Sequence, residues 1–333
     1  MKIAVLGAGA IGAYVGAALH RGGAEVHLVA RGEHLRAIRE HGVRVNSPRG
    51  DFVARPHATD DPAEIGAVDY VFLGLKAHAY PSSGSLVAPL LGERTAVVAG
   101  QNGIPWWYFH KLPGPYEGRQ IEAVDPGGAT SKVLPPERAV GCVVYPATVI
   151  ESPGVIRHLE GTRFSIGEPA GGVSDRCTAL SEAMIAGGLK CPVEPNLRDD
   201  IWIKLMGNVA FNPISALTRA TMVDICRHPP TRRLVTHLME ETLDIAARVG
   251  STPDISIEKR LRGAEGVGHH KTSMLQDLEA GKQLELDAIV TAVVEMADIS
   301  GAEAPTLRAV HAATDLLARG ATAATRPQGA VPA

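Results

Sequence analysis

The chain opens with an apolar run, Lys2-Ile3-Ala4-Val5-Leu6, that leads straight into Gly7-Ala8-Gly9-Ala10-Ile11-Gly12. Three glycines at that spacing, between a strand-like and a helix-like run, leave few folds open. The first allows a tight turn, the second lets backbone N–H groups approach a pyrophosphate, and the third lets the following helix lie against the strand. The phosphate charge then rests on the N-terminus of that helix, where unsatisfied N–H groups and the helix dipole favour an anion. A second strand-like run, Glu25 to Val29, completes a βαβ unit. The pattern predicts a dinucleotide site, with Gly7, Gly9, Ala10, Ile11 and Gly12 as cofactor-binding residues.

The end of the second strand distinguishes between dinucleotides. In an NAD(H) site an Asp or Glu stands there and accepts hydrogen bonds from the ribose 2′-OH. This chain has Val29-Ala30-Arg31 instead. A guanidinium cannot accept those bonds, but it donates a fork of charge-assisted bonds that suits a 2′-phosphate. NADP(H) is therefore the expected cofactor and Arg31 its discriminating residue; the competing reading of Arg31 is a solvated surface arginine.

With 333 residues and 45% hydrophobic content, the chain has enough material for a large core and for two domains. Its net charge of −3 offers no basic surface for nucleic acid. Cys142, Cys177, Cys191 and Cys226 show neither CxxC nor zinc-finger spacing and read as reduced, mostly buried thiols of a cytoplasmic protein. The stretch from Lys2 to Leu19 imitates a signal sequence, but it carries the phosphate-binding glycines and continues into a paired strand instead of a cleavage site. Once it is assigned, no apolar run is long enough to span a membrane.

Two further runs, Asp69 to Lys76 and Thr95 to Ala99, read as buried parallel strands. They end at Lys76 and at Gly100-Gln101-Asn102-Gly103, on the sheet edge where ligands bind in open α/β folds. Ala139 to Val149, Val155 to Leu159 and Arg163 to Ile166, with turns such as Ser152-Pro153-Gly154 between them, predict an antiparallel extension of the same sheet. A helix over 174–187 closes this part. From about Asn196 the pattern becomes helical throughout. The fold class is thus α/β: a Rossmann-type doubly wound sheet with an antiparallel extension over residues 1–194, then an all-helical domain over 195–320. Residues 321–333, rich in Ala, Thr and Pro, read as a frayed tail.

Chemistry-bearing side chains gather on the first helix of the second domain. Lys204, Asn208, Asn212 and Ser215 follow one another at intervals of three or four and so share a face, while Trp202, Leu205, Met206, Val209 and Phe211 cover the rest. A polar stripe on an otherwise apolar helix needs either an interhelical hydrogen-bond network or a polar cleft. A second cluster runs from Ser273-Met274-Leu275-Gln276-Asp277 through Gly281 to Glu285-Leu286-Asp287. Gly281 breaks the helix there, and Glu285 and Asp287 fall in the first turn of the next, where carboxylates commonly serve as caps.

Together the glycine turn, the strand-end Lys76, Asn102-Gly103, the Lys204…Asn208…Asn212-Pro213 helix and the Ser273…Asp277…Glu285-Leu286-Asp287 stretch make the chain resemble the ketopantoate reductases, from Met1 to about Arg319. The resemblance implies NADPH-dependent reduction of a small 2-oxo acid, with ketopantoate the leading substrate. It assigns Lys204 as the acid that protonates the ketone oxygen, and Glu285 to hold the new hydroxyl and orient the lysine. Lys76 and Asn102 would line the cofactor and substrate cleft, and Asn208, Asn212 and Ser273 would bind the substrate's polar groups, its carboxylate included. It further implies a role in pantothenate synthesis and a homodimer formed through the helical part; the residues themselves give no expectation of a metal site.

The chain departs from the pattern in places. Leu284 stands where the family often has Thr. Trp106-Trp107 opens a Pro/Gly-rich loop that reads either as a lid or pocket wall or as an anchor for that loop, the anchor being preferred. His269-His270 has no third residue spaced to complete a metal site. Two other functions stay open: a related NADP-dependent dehydrogenase acting on another carbonyl, alcohol or imine, and a non-catalytic NADP(H)-binding regulator.

Overall fold

The computed structural model describes residues 1–325. They divide into two units, Met1–Gln120 with Asp125–Asp200, and Ile121–Val124 with the chain from Ile201 onward.

The first unit contains strands β1 (Lys2–Leu6), β2 (Glu25–Val29), β3 (Val43–Asn46), β4 (Phe52–Ala54), β5 (His57–Thr59), β6 (Val68–Leu73), β7 (Leu91–Ala99), β8 (Ala139–Val144), β9 (Ala147–Ser152), β10 (Val155–Glu160) and β11 (Phe164–Gly167). Its helices are α1 (Ala10–Arg21), α2 (Gly32–His41), the short α3 (Gly84–Val87) and α4 (Ala129–Val133), and α5 (Asp175–Ala186). Seven strands form one sheet in the order β11-β8-β7-β6-β1-β2-β5. All its neighbours are parallel except β11, which runs antiparallel to β8. Because β1 pairs with β2 on one side and with β6 on the other, the strand order reverses at β1, and the crevice beyond its carboxyl end is where such sheets bind ligands.

The antiparallel extension is thus β11 alone. Pro146 interrupts the run that continues from β8, since it has no N–H for a ladder, and the β9–β10 hairpin joins a separate four-stranded sheet, β4-β3-β10-β9. Helix α1 touches strands of both sheets and is buried without interruption from Gly12 to Leu19. That explains its uniformly apolar sequence: a helix covered on all sides has no solvent face to keep polar.

The Trp106-Trp107 loop is an anchor. Trp106, Trp107, Tyr108 and Phe109 are all at most 4% exposed, and Trp106 Nε1 donates to the Leu134 carbonyl at 2.9 Å. Arg198 reaches beneath the loop and donates to three carbonyls, of Tyr108 (2.9 Å), His110 (2.9 Å) and Pro169 (2.6 Å). Burial pulls its pKa below the ordinary arginine value. Removing a buried partner leaves each carbonyl unsatisfied at roughly 1–3 kcal/mol. Arg198→Ala is therefore expected to lose about 3 kcal/mol of stability or more, and Arg198→Lys to recover only part, since one ammonium cannot reach three divergent acceptors as a planar fork does. Urea midpoints of the three proteins measure this.

The cysteines are all free and buried. Burial pushes the Cys177 thiol up to about 11 and Cys191 up to about 12, so neither forms the thiolate that a nucleophile requires at neutral pH.

In the second unit the described residues form helices only. They are α6 (Leu197–Thr218), which begins in the first unit, α7 (Met222–Arg227), α8 (Pro229–Arg248), α9 (Ile257–Gly266), α10 (Ser273–Glu279), α11 (Ala292–Ser300) and α12 (Pro305–Thr325). No helix among the described residues is long and apolar enough to cross a membrane. From Ile201 to Ala216 helix α6 is buried apart from Ile203, Lys204 and Asn208, and it continues through Pro213. Glu295 of α11 accepts the Glu122 and Ala123 N–H groups at 2.7 and 2.9 Å, which ties the 121–124 segment to this unit. Helix α12 runs to Thr325, so the start of the stretch expected to fray is helical; its alanines favour that state. Residues 326–333 of the expected tail lie outside the described residues.

Candidate active site

The glycine turn is built as its spacing requires. Gly7 has φ +92°, the left-handed region that costs a side chain dearly, and a Cβ there would stand 2.6 Å from Leu75 Cδ2. A Cβ on Gly12 would run into the Gly7 carbonyl, so only glycine lets α1 sit this close to the turn. At Gly9, by contrast, a Cβ would meet nothing within 4 Å, so the backbone there faces open space. Helix α1 starts at this point with no side-chain cap and no acidic residue in its first turn. Its first N–H groups are thus presented to an anion.

Beside the turn lies a cavity of about 410 Å³ whose walls include Gly7, Ala8, Gly9, Arg31 and Leu75. Ala10 and Ile11 form the first turn of α1 next to it. Arg31 is exposed at the N-cap of α2, directly after β2 and Ala30, so its side chain is available to the cavity. Lys76 and Asn102 are half-buried just beyond the carboxyl ends of β6 and β7, and neither lines this cavity. The sequence reading missed several wall residues: His34, Ser82, Ser83, Leu86 and Ile150. Ile150 arrives from the second sheet, whose pairing was not legible.

His34 joins the cavity to that sheet. Its Nδ1 accepts the Gly154 N–H at 3.0 Å, which fixes the neutral tautomer with hydrogen on Nε2. Burial draws its pKa below the ordinary histidine value. His110 and His311 are lowered by burial as well. For a base held neutral in the folded state, the unfolded chain binds more protons, so stability is complete above the ordinary histidine pKa of about 6.5 and falls as pH drops below it. Melting temperatures are expected to decline between pH 7.5 and 5.5, and His34→Gln to flatten part of that decline.

In the second unit, Lys204 and Asn208 are half-buried and Asn212 is 4% exposed on one face of α6. Asn212 Nδ2 is buried with no hydrogen-bond partner among the described residues. Two N–H donors kept from water without an acceptor are costly. Ser215, the fourth polar residue of the stripe, donates to the Ala220 carbonyl at 2.7 Å and closes the end of the helix. Ser273 is exposed at the start of α10, where Thr272 is the N-cap.

Gly281, at φ +64°, ends α10. Glu285 then lies just before the helical turn that begins at Leu286 instead of within it, half-buried between the buried Leu284 and Leu286. Leu284 is therefore a packing residue. After it Asp287–Thr291 is π-helical before α11 begins, an irregularity found frequently at functional sites. Asp287 is exposed. His269 is exposed 4.0 Å from Asp224, and no group of three or more metal-ligating side chains occurs among the described residues.

The family model described as ketopantoate reductase PanE/ApbA matches residues 3–171, and that of the ketopantoate reductase PanE/ApbA C terminal matches residues 196–318. The chain belongs to the ketopantoate reductase family. It is an oxidoreductase by that membership. A curated 2-dehydropantoate 2-reductase of Mesorhizobium japonicum is 47% identical over 96% of this family member and 98% of the relative. A crystal structure of 2-dehydropantoate 2-reductase from Geobacter metallireducens superposes with a TM-score of 0.83 at 29% identity, covering 95% of this chain and 99% of that one. D-mandelate dehydrogenase in a ternary structure with NADH and anilino(oxo)acetate shares the fold, with a TM-score of 0.79 at 21% identity, 96% of this chain and 99% of that one.

Proposed function

We propose that this chain reduces 2-dehydropantoate to pantoate with NADPH, as the relatives named for that reaction do. The observation that carries the reading is the polar stripe of α6: Lys204 and Asn208 half-buried, Asn212 buried with an unmet donor, on a helix that is otherwise core.

The cradle at the glycine turn fits a dinucleotide phosphate, because Gly9 leaves open space in front of uncapped N–H groups, and Arg31 at the cavity wall favours a 2′-phosphate. Bound there, a reduced nicotinamide dinucleotide supplies a hydride. Gly7, Gly9, Ala10, Ile11, Gly12 and Arg31 hold it, with Lys76 and Asn102 at the adjoining strand ends. As hydride adds to the ketone carbon, negative charge builds on oxygen. The Lys204 ammonium stabilises that charge and delivers the proton, a general-acid contribution of roughly 10²–10⁴ in rate. Glu285 accepts from the new hydroxyl and orients the lysine, while Asn208, Asn212 and Ser273 hold the substrate's polar groups. This work takes place in the cytoplasm, in a homodimer associated through the helical unit, where Leu316 on α12 is 72% exposed.

Steady-state assays with NADPH and a panel of 2-oxo acids test the reading. Ketopantoate should give the highest kcat/KM. A bulkier oxo acid in first place would point to a relative of different specificity, and no turnover with any carbonyl would leave only a nucleotide-binding protein.

A further inference from the structure

The assignment above leaves the substrate's carboxylate to neutral partners, Asn208, Asn212 and Ser273. A cation that the sequence did not single out packs on the same helix, on the lysine side of the stripe. Arg260 of α9 lies across α6 at Gly207, where a Cβ would stand 2.5 Å from Nε and 2.7 Å from Cζ, nearer still to Nη2. The guanidinium thus fills the volume that any side chain at 207 would need. Gly207 directly precedes Asn208 and lies one turn after Lys204, so on a 3.6-residue helix it borders the polar stripe on the lysine side.

The arrangement is specific. Glycine weakens a helix interior, and the neighbouring positions of α6 carry large buried side chains, Trp202, Met206 and Phe211 among them. Residue 207 is the gap in that series, and Arg260 occupies it. Helix α9 is itself fixed in place: Ser256 caps it, Arg232 pairs with Glu258 at 3.1 Å, Arg227 pairs with Glu265 at 3.1 Å, and the Cys226 thiol donates to the Leu261 carbonyl. The two carboxylates of α9 are thereby engaged by arginines of α7 and α8.

We infer that Arg260 is the residue that recognises the carboxylate of a 2-oxo acid, an inference that rests on the proposed function. A planar guanidinium matches the two oxygens of a carboxylate and supplies the charge that an amide cannot. Lys204 is then left for the ketone oxygen. Gly207 is a positioning residue that sets how close the guanidinium comes to the stripe.

The test compares ketopantoate with its uncharged lactone, which keeps the ketone, in the wild type, Arg260→Ala, Arg260→Lys and Gly207→Ala. Arg260→Ala should raise KM for ketopantoate about 10- to 100-fold, the effect of losing one charge-assisted contact, with a smaller change in kcat and less than threefold change in KM for the lactone. Arg260→Lys should lose less. Gly207→Ala keeps the charge but displaces it, and should shift KM for the acid in the same direction. Added guanidinium chloride at millimolar concentration should restore part of the Arg260→Ala activity on the acid only. NADPH binding and melting temperature, measured alongside, report misfolding. Equal losses on acid and lactone, or no loss on the acid, with an active wild type overturn the role of Arg260 and leave the proposed function standing. A wild type that reduces neither compound overturns both.

Discussion

Lys204→Ala is expected to lower kcat on ketopantoate about 1,000-fold, the middle of the range for a general acid that also stabilises charge in the transition state. Lys204 is half-buried on α6 within the second unit, whereas the glycine cradle and Arg31 belong to the first. The dissociation constant for NADPH should therefore stay within about threefold of wild type, and KM for the oxo acid should change little, because a group used mainly in the transition state is absent from ground-state binding. The urea midpoint should also hold, since a half-buried lysine replaced by alanine in a helix interior keeps helix propensity. Stopped-flow hydride transfer and a fluorescence titration with NADPH separate the effects. Loss of NADPH binding together with kcat would mean that the substitution disturbs the fold and says nothing of acid catalysis; unchanged kcat would remove Lys204 from the chemistry.

Arg31→Asp carries the second large effect. Arg31 sits at the N-cap of α2, exposed and at the wall of the cavity beside the glycine turn. The substitution removes a charge-assisted donor worth about 1.5–3 kcal/mol and sets a carboxylate where the 2′-phosphate is expected, so NADPH affinity should fall about 100-fold. The same carboxylate can accept from a ribose 2′-OH, so NADH should be used as well as before or better. The ratio of kcat/KM for the two cofactors is the readout, since it cancels general damage. Equal losses for both would make Arg31 a solvated arginine.

The parts of this molecule that were legible in its sequence are those fixed by local geometry. The glycine turn was readable because Gly7, Gly9 and Gly12 each meet a constraint within one βαβ unit. The α6 stripe was readable because helical spacing alone puts Lys204, Asn208 and Asn212 on one face. What escaped depends on contacts distant in sequence. The second sheet pairs the short β3 with β10, far along the chain, and strands of that length carry almost no periodicity of their own. Ile150 reaches the cavity wall through that sheet, and His34 of α2 is tied to it by the Gly154 N–H. Glu285 falls just outside the helical turn that holds Asp287, because an irregular stretch and a π-helical turn after Gly281 leave no mark in the residue pattern. Arg260 escaped because its packing on Gly207 joins residues far apart in sequence; the signal it left was a glycine inside an otherwise apolar helix. The Trp106-Trp107 loop had two readings until the buried Arg198 showed what holds it.

The central claim is that this fold delivers hydride to the ketone carbon of a 2-oxo acid. Incubation of the purified protein with ketopantoate and NADPH deuterated at nicotinamide C4 on the transferred face, followed by NMR of the product, tests it directly. One deuterium at C2 of pantoate, matched by one equivalent of NADPH oxidised, is the result expected. Ketopantoate left unchanged in the presence of bound NADPH, or pantoate formed without deuterium at C2, would contradict it.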